Sequence, residues 1–293
     1  MVQAQSPLFT ASVAQGAFIP ADNCIIMRPT SVPIPLTRTV PFMSLVDQIR
    51  FALARLTRLP VRPPTGEGRL LSDAVTALPV VGLLGGFAGA LVFALTFYFG
   101  LTAWLAGITA VAAMAIYSNA WSERGLVALI NGLAGRDRVE TLERLADQRP
   151  ATGSVLALVA CFLLRAGALM ALGAPLNVFD ALLAAGAISF AMSGLAMFLL
   201  PEASSHVAQP ATGRADPIDV TWALLVAALV SVFTLGFGTA IAAMLAAIAA
   251  ALAILALAQS RLGGQTAEVV AAVQQVSEIA ALLAAIAVVG TSE

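Results

Sequence analysis

Residues 77–99 read ALPVVGLLGGFAGALVFALTFYF. The stretch holds no charge and, as a helix, is long enough to cross a hydrocarbon core, which takes about 20 residues. Its apolar positions are continuous rather than alternating, which is the pattern of a membrane helix and not of a barrel strand. Outward from it, runs of the same kind occupy Leu101–Tyr117, Gly153–Leu172, Phe179–Leu200, Val220–Gly236, Thr239–Leu257 and Ala267–Val289. The whole chain is 60% hydrophobic and 11% charged, where soluble domains carry about 25% charged residues. The expected fold is an all-α polytopic membrane protein with about seven transmembrane helices, and its first partner is the lipid bilayer. A formal net charge of −1 gives no reason to expect a nucleic acid.

Upstream of the first span, Ser44–Leu59 (SLVDQIRFALARLTRL) has helical spacing. Leu45, Ile49, Leu53 and Leu56 form one stripe, and Asp47, Arg50, Arg55 and Arg58 lie elsewhere. A helix this short and charged is expected to lie in the membrane interface, ending at Pro60, Pro63 and Pro64. Residues 1–42 carry six prolines and no helical period. They read as a disordered or over-called extension to a single membrane domain, residues 43–293. With no basic residue before Arg28 and no apolar h-region, they do not read as a signal peptide.

The longest polar interruption among the spans is Asn119–Val155, with five of the fifteen arginines and with Glu123, Asp137, Glu140, Glu143 and Asp147. Its segment Asp137–Asp147 has helix-forming composition, with Val139, Leu142 and Leu145 on one side. Arg144 with Glu140 at i,i+4 reads as a helix-surface pair. Six further arginines lie between Arg38 and Arg69. The positive-inside rule puts both basic stretches on the cytoplasmic side of an inner membrane, and counting two spans at a time brings Pro201–Asp219 and Gln259–Glu268 to the same face. A transporter would bury polar groups near the midplane. An enzyme acting on a cytoplasmic substrate would gather them at one end.

Other polar residues carry plainer readings. Gly82/Gly86 and Gly85/Gly89 are small-xxx-small pairs that let helices pack closely. Arg165, alone in an apolar span, is expected to snorkel to the far interface. His206, the one histidine, reads as a loop residue rather than a metal ligand. Cys161 reads as a small core residue. The last helix is expected to be amphipathic in its first half, with Glu268, Gln274, Gln275 and Glu278 on its polar side.

An ordered set of motifs resembles the adenosylcobinamide-GDP ribazoletransferases, or cobalamin 5′-phosphate synthases. Members have an amphipathic helix ending in Leu-Thr-Arg-Leu-Pro-Val, here Leu56–Thr57–Arg58–Leu59–Pro60–Val61. Leu78–Pro79–Val80–Val81–Gly82 looks like their next motif, and Gly263–Gly264–Gln265–Thr266–Ala267–Glu268, with Glu278 beyond, looks like their last. The resemblance implies a transferase that joins α-ribazole, or its 5′-phosphate, to adenosylcobinamide-GDP and releases GMP, with Mg²⁺ as cofactor. Such chemistry needs positive charge held against developing phosphate charge, and Mg²⁺ is usually held by one or two carboxylates plus substrate phosphates.

The central acidic motif of the family departs here. With Gly125 and Gly132 set on its two glycines, its histidine is Ser122 and its three aspartates are Arg124, Ala128 and Asn131. In the following motif Asp147, Arg149 and Thr152 match, and its lysine and first glycine are Ala146 and Ala151. The residues the resemblance leaves for metal are Glu123, Asp147 and Glu268. Asp147, Arg149 and Glu268 are its candidate catalytic residues, and Arg124 and Arg149 its candidates for substrate phosphate. For each carboxylate a structural role stands beside the functional one; Glu268, for instance, suits the first turn of a helix. Three functions follow: a working transferase with a rearranged metal site, a paralogue that keeps the scaffold without the reaction, or a small transporter. The ordered motifs weigh against the last.

Overall fold

The computed structural model describes residues 43–64, 69–147, 149–203 and 212–290. The expectations for residues 1–42 and for His206 lie outside the described residues. Ten α-helices follow one another without a strand among the described residues.

Helix α1 (Leu45–Leu56) is the expected amphipathic helix. Ser44 caps it, its hydroxyl accepting the Asp47 N–H at 3.2 Å. The apolar stripe is buried only from its second turn; Leu45 is 55% exposed. A 3-10 turn, Leu71–Ala77, leads into α2 (Leu78–Tyr98), and the two together form one 28-residue apolar run.

The second apolar run is shorter and bent. Helix α3 (Ala103–Tyr117) has 15 residues, only about 22 Å of rise. It turns by 86° into α4 (Trp121–Leu133). Helix α5 (Arg138–Ala146) follows on the polar side, with Asp137 accepting the Glu140 N–H at 2.8 Å as its N-cap. On α5, Leu145 is buried but Val139 is 66% exposed, so the expected three-residue stripe is only partly packed. The remaining helices are α6 (Thr152–Leu172), α7 (Pro175–Leu199), α8 (Pro217–Leu235), α9 (Phe237–Leu262) and α10 (Ala267–Gly290). Six helices are long and apolar enough to cross a membrane, and the bent α3–α4 pair makes a seventh if it counts as one span. The chain is a polytopic α-helical membrane protein. Leucine and aromatic side chains on the outer faces of α2, α6, α8 and α9, such as Phe87, Leu163, Phe233 and Leu245, are exposed for lipid.

The glycine pairs of α2 pack in two directions. Gly82 and Gly86 lie against the backbone of α7 at Gly186 and Leu182, where any side chain would meet a carbonyl. Gly85 and Gly89 receive Tyr117 and Met114 of α3. Small residues thus let α2 approach two neighbours at once.

Helix α10 differs most from its sequence reading. Its polar side does not face water. Gln274, Gln275, Ser277 and Glu278 are all buried, as are Val269 through Val273, because α10 runs between α7, α9, α4 and α6. The loops before and after these helices meet at one end, as span parity predicted. The Gln265 N–H donates to Pro201 O at 2.8 Å, the Ala203 N–H donates to Gln265 O at 2.8 Å, and the Ser72 N–H donates to Thr212 O at 2.7 Å. The Glu202 carboxylate accepts from the Thr212 hydroxyl at 3.0 Å, tying the loop to itself.

Candidate active site

At the turn from α3 to α4, Asn119 and Ala120 both adopt left-handed backbone, with φ of 52° and 51°. Non-glycine residues pay roughly 1 kcal/mol or more for that region, so something must hold them there. Arg58, just beyond α1, does so: its N–H donates to Tyr117 O at 2.9 Å and its Nε to Asn119 Oδ1 at 2.8 Å. The turn brings Trp121 onto Phe190 of α7, the rings stacked with centroids 6.1 Å apart. Gly125 then lets α4 lie directly on α10, since a Cβ there would strike the Ala271 side chain and the Glu268 carbonyl.

The result is a cavity of about 480 Å³ walled by α4, the end of α5, α6 and the start of α10. Four of the sequence-predicted residues line it together: Glu123, Arg124, Asp147 and Glu268. Trp121, Leu145 and Leu158 give it apolar walls. Arg149 is elsewhere. It lines an adjoining cavity of about 280 Å³ with Arg144 and Asn131, and Asp147 stands on the wall of both.

Each of these side chains has a local reason for its place. Asp147 ends α5, and its Oδ1 accepts the Arg149 N–H at 3.1 Å. Asn131, which stands where the related motif has an aspartate, holds the same loop from α4. Its Nδ2 donates to Arg149 O at 2.8 Å and its Oδ1 accepts the Ala151 N–H at 3.2 Å. An amide can do both, and an ionised carboxylate could accept but not donate. Glu268 lies in the first turn of α10, where a helix dipole favours an acid. Glu140 and Arg144 form the expected surface pair at 2.7 Å. The Arg136 N–H and then the Arg144 guanidinium hold the exposed Glu140 carboxyl below the usual carboxylate range.

Glu123 is engaged from behind. Its Oε1 lies 3.1 Å from Arg165 Nη1, and Arg165 Nη2 lies 2.7 Å from Glu278 Oε1. The three side chains are 12%, 4% and 4% exposed, respectively Glu123, Arg165 and Glu278. The snorkelling expected of Arg165 is therefore overturned: about 20 Å along α6 from Thr152, its guanidinium turns inward between two carboxylates. A buried charge is tolerable when paired and hydrogen-bonded, and burial in protein here replaces escape to water. Glu278 and Arg165 are the residues that the loop-centred reading missed. The available signal was a lone arginine in one apolar span and a Gln274/Glu278 pair at i,i+4 in another, since intramembrane polar groups need partners.

Among the described residues, no group of three or more His, Cys, Asp or Glu side chains is placed to hold a metal ion. With Glu123 on Arg165, the cavity keeps Asp147 and Glu268 as carboxylates facing no guanidinium among the described ion pairs. Mg²⁺ takes much of its coordination from substrate and water, so a site for it here would rest on these two carboxylates.

Comparison with known proteins places the sequence in a family. Residues 48–286 match the family described as cobalamin-5-phosphate synthase. The chain is 36% identical over 242 residues to an adenosylcobinamide-GDP ribazoletransferase from Mesorhizobium japonicum, covering 82% of this chain and 93% of that one. It is 37% identical over 257 residues to the protein of that name from Bradyrhizobium diazoefficiens, covering 87% of this chain and 98% of that one. No solved structure matches. The match spans the interfacial helix, the bent α3–α4 pair and the central α10 alike, and the chain belongs to the cobalamin-5-phosphate synthase family.

Proposed function

We propose that this protein is an adenosylcobinamide-GDP ribazoletransferase, joining α-ribazole or its 5′-phosphate to the GDP-activated corrinoid with release of GMP. Family membership over nearly the whole described chain carries the reading. The cavity supports it, because charged groups and an apolar wall occur side by side where a bulky, phosphorylated substrate would need both.

In this reading the cavity opens to the cytoplasmic side of an inner membrane, the side on which the arginine-rich segments are retained. Asp147 and Glu268 would hold Mg²⁺, which when bound supplies charge compensation for phosphate oxygens. Arg124, on the cavity wall, and Arg149, on the adjoining one, bind and orient the diphosphate by charge-assisted hydrogen bonds. Asn131 keeps the Asp147–Arg149 loop at the correct distance from α4. Trp121, Leu145 and Leu158 bury apolar substrate surface and exclude water from the phosphate being attacked.

Complementation tests this directly. The full chain, expressed in a bacterium lacking its own cobalamin synthase and fed cobinamide and dimethylbenzimidazole, is expected to restore cobalamin-dependent growth. Absence of growth with the protein present and folded in the membrane would overturn the reading and mark the chain as a scaffold that has lost the reaction.

A further inference from the structure

All four carboxylate oxygens of Glu123 and Glu278 are occupied. Arg165 takes one from each. The Ser122 hydroxyl donates to Glu123 Oε2 at 3.0 Å, and Gln274 Nε2 donates to Glu278 Oε2 at 2.7 Å and lies 3.1 Å from the Ser189 hydroxyl of α7. The Ser189 hydroxyl in turn donates to Gly186 O, at the place where α7 meets α2. A polar chain therefore runs from the cavity wall through α4, α6 and α10 into α7. Its one cation is Arg165, and its one residue on the cavity is Glu123.

We propose that Arg165 is a positioning residue for the active site: its guanidinium, bridging Glu123 and Glu278, fixes the cavity wall formed by α4 and keeps Glu123 out of the metal and substrate chemistry. Three observations converge on this. Helix α4 begins at a strained turn and Glu123 lies in its first turn beside Arg124, so the Glu123 link bears directly on where Arg124 stands. The guanidinium is planar and delivers parallel N–H groups to two acceptors, which a lysine cannot do. Finally, the Glu123 carboxylate already has its charge compensated by Arg165 and each of its two oxygens accepting one bond, from Arg165 and Ser122, before any ligand arrives.

Two kinds of variant test it, in the full chain in lipid nanodiscs. Arg165→Met alone leaves two buried carboxylates without a cation and is expected to be poorly stable. The neutral triple variant Glu123→Gln/Arg165→Met/Glu278→Gln removes the whole charge set, and replacing a buried ion network as a unit is often tolerated. In this variant amide hydrogen exchange is expected to accelerate in α4 by about tenfold, with α8 and α9 unchanged, as local opening predicts. Turnover is expected to fall by about a hundredfold in kcat with little change in KM, the scale of a small misplacement of reacting groups. Arg165→Lys retains the charge without the bridge and should show the same α4 signature more weakly. Mn²⁺ affinity, read by electron paramagnetic resonance, should be unchanged in Glu123→Gln and lowered in Asp147→Asn.

Turnover and Mn²⁺ binding as readouts depend on the transferase activity and metal site proposed above; exchange does not. Wild-type α4 exchange in folded Arg165→Lys or in the triple variant overturns the inference. So does acceleration spread evenly over all helices, or a loss of Mn²⁺ affinity in Glu123→Gln equal to that in Asp147→Asn.

Discussion

Glu268→Gln is expected to lower ribazole transfer by about a hundredfold or more, the size of effect seen when one preorganised charge contact to a transition state is removed. Asp147→Asn is expected to do the same. Both side chains stand on the wall of the 480 Å³ cavity, and neither is in an ion pair among the described residues. The substitutions are nearly isosteric. Asn at position 147 keeps an oxygen for the Arg149 N–H, so the loop should survive. The measurement is turnover of adenosylcobinamide-GDP against Mg²⁺ concentration in reconstituted membranes. A metal optimum shifted to higher concentration in both variants supports shared coordination. Turnover within about threefold of the parent in either one removes that residue from the site, because a hundredfold loss corresponds to about 2.7 kcal/mol of transition-state stabilisation.

The second large effect is structural. Gly186→Val is expected to destabilise the bundle by about 3 kcal/mol, the upper range for overpacking, and to lower the unfolding midpoint by about 6 °C in a chain this long. The cause is backbone on backbone. A side chain at Gly186 would meet the carbonyl of Gly82, and one at Gly82 would meet that of Gly186. Neither can rotate away as a side chain would. Gly167→Ala is the matched comparison: nothing lies within 4 Å of a Cβ at Gly167, and alanine is the better helix former by roughly 1 kcal/mol. Thermal unfolding of the two variants in the same detergent distinguishes close approach from a general intolerance of larger residues. Equal midpoints would show that α2 and α7 do not pack through these glycines.

The membrane architecture was legible because hydropathy and span length are local properties. Each apolar run could be judged without knowing its neighbours. The interfacial helix, the polar α5 and the small-residue pairs on α2 were legible for the same reason, and so was the meeting of Glu123, Arg124, Asp147 and Glu268, which needed only motif order and span parity. What escaped was non-local. The 86° turn has neither glycine nor proline; Asn119 and Ala120 take left-handed backbone there, and Arg58, some sixty residues earlier, donates to the Tyr117 carbonyl and the Asn119 side chain. The polar side of α10 was legible as a stripe but its burial was not, because periodicity reports a face and not what covers it. Arg165 was assigned to the far interface since its partners come from two other helices, 42 and 113 residues away in sequence.

The central position of α10 has a consequence for biogenesis. A ribosome delivers helices in chain order, so the segment that fills the middle of this bundle leaves after the other nine described helices. Until Ala267–Gly290 inserts, α4, α6, α7 and α9 lack the helix that all four pack against, and Arg165 has Glu123 but not Glu278. The earlier spans are therefore expected to wait as an unfinished bundle, dependent on lipid or on an insertion factor to cover the faces that α10 will bury. A translation product halted just before Ala267 should be cleared by membrane proteolysis rather than accumulate, and its stable accumulation in pulse–chase labelling would speak against this order of assembly.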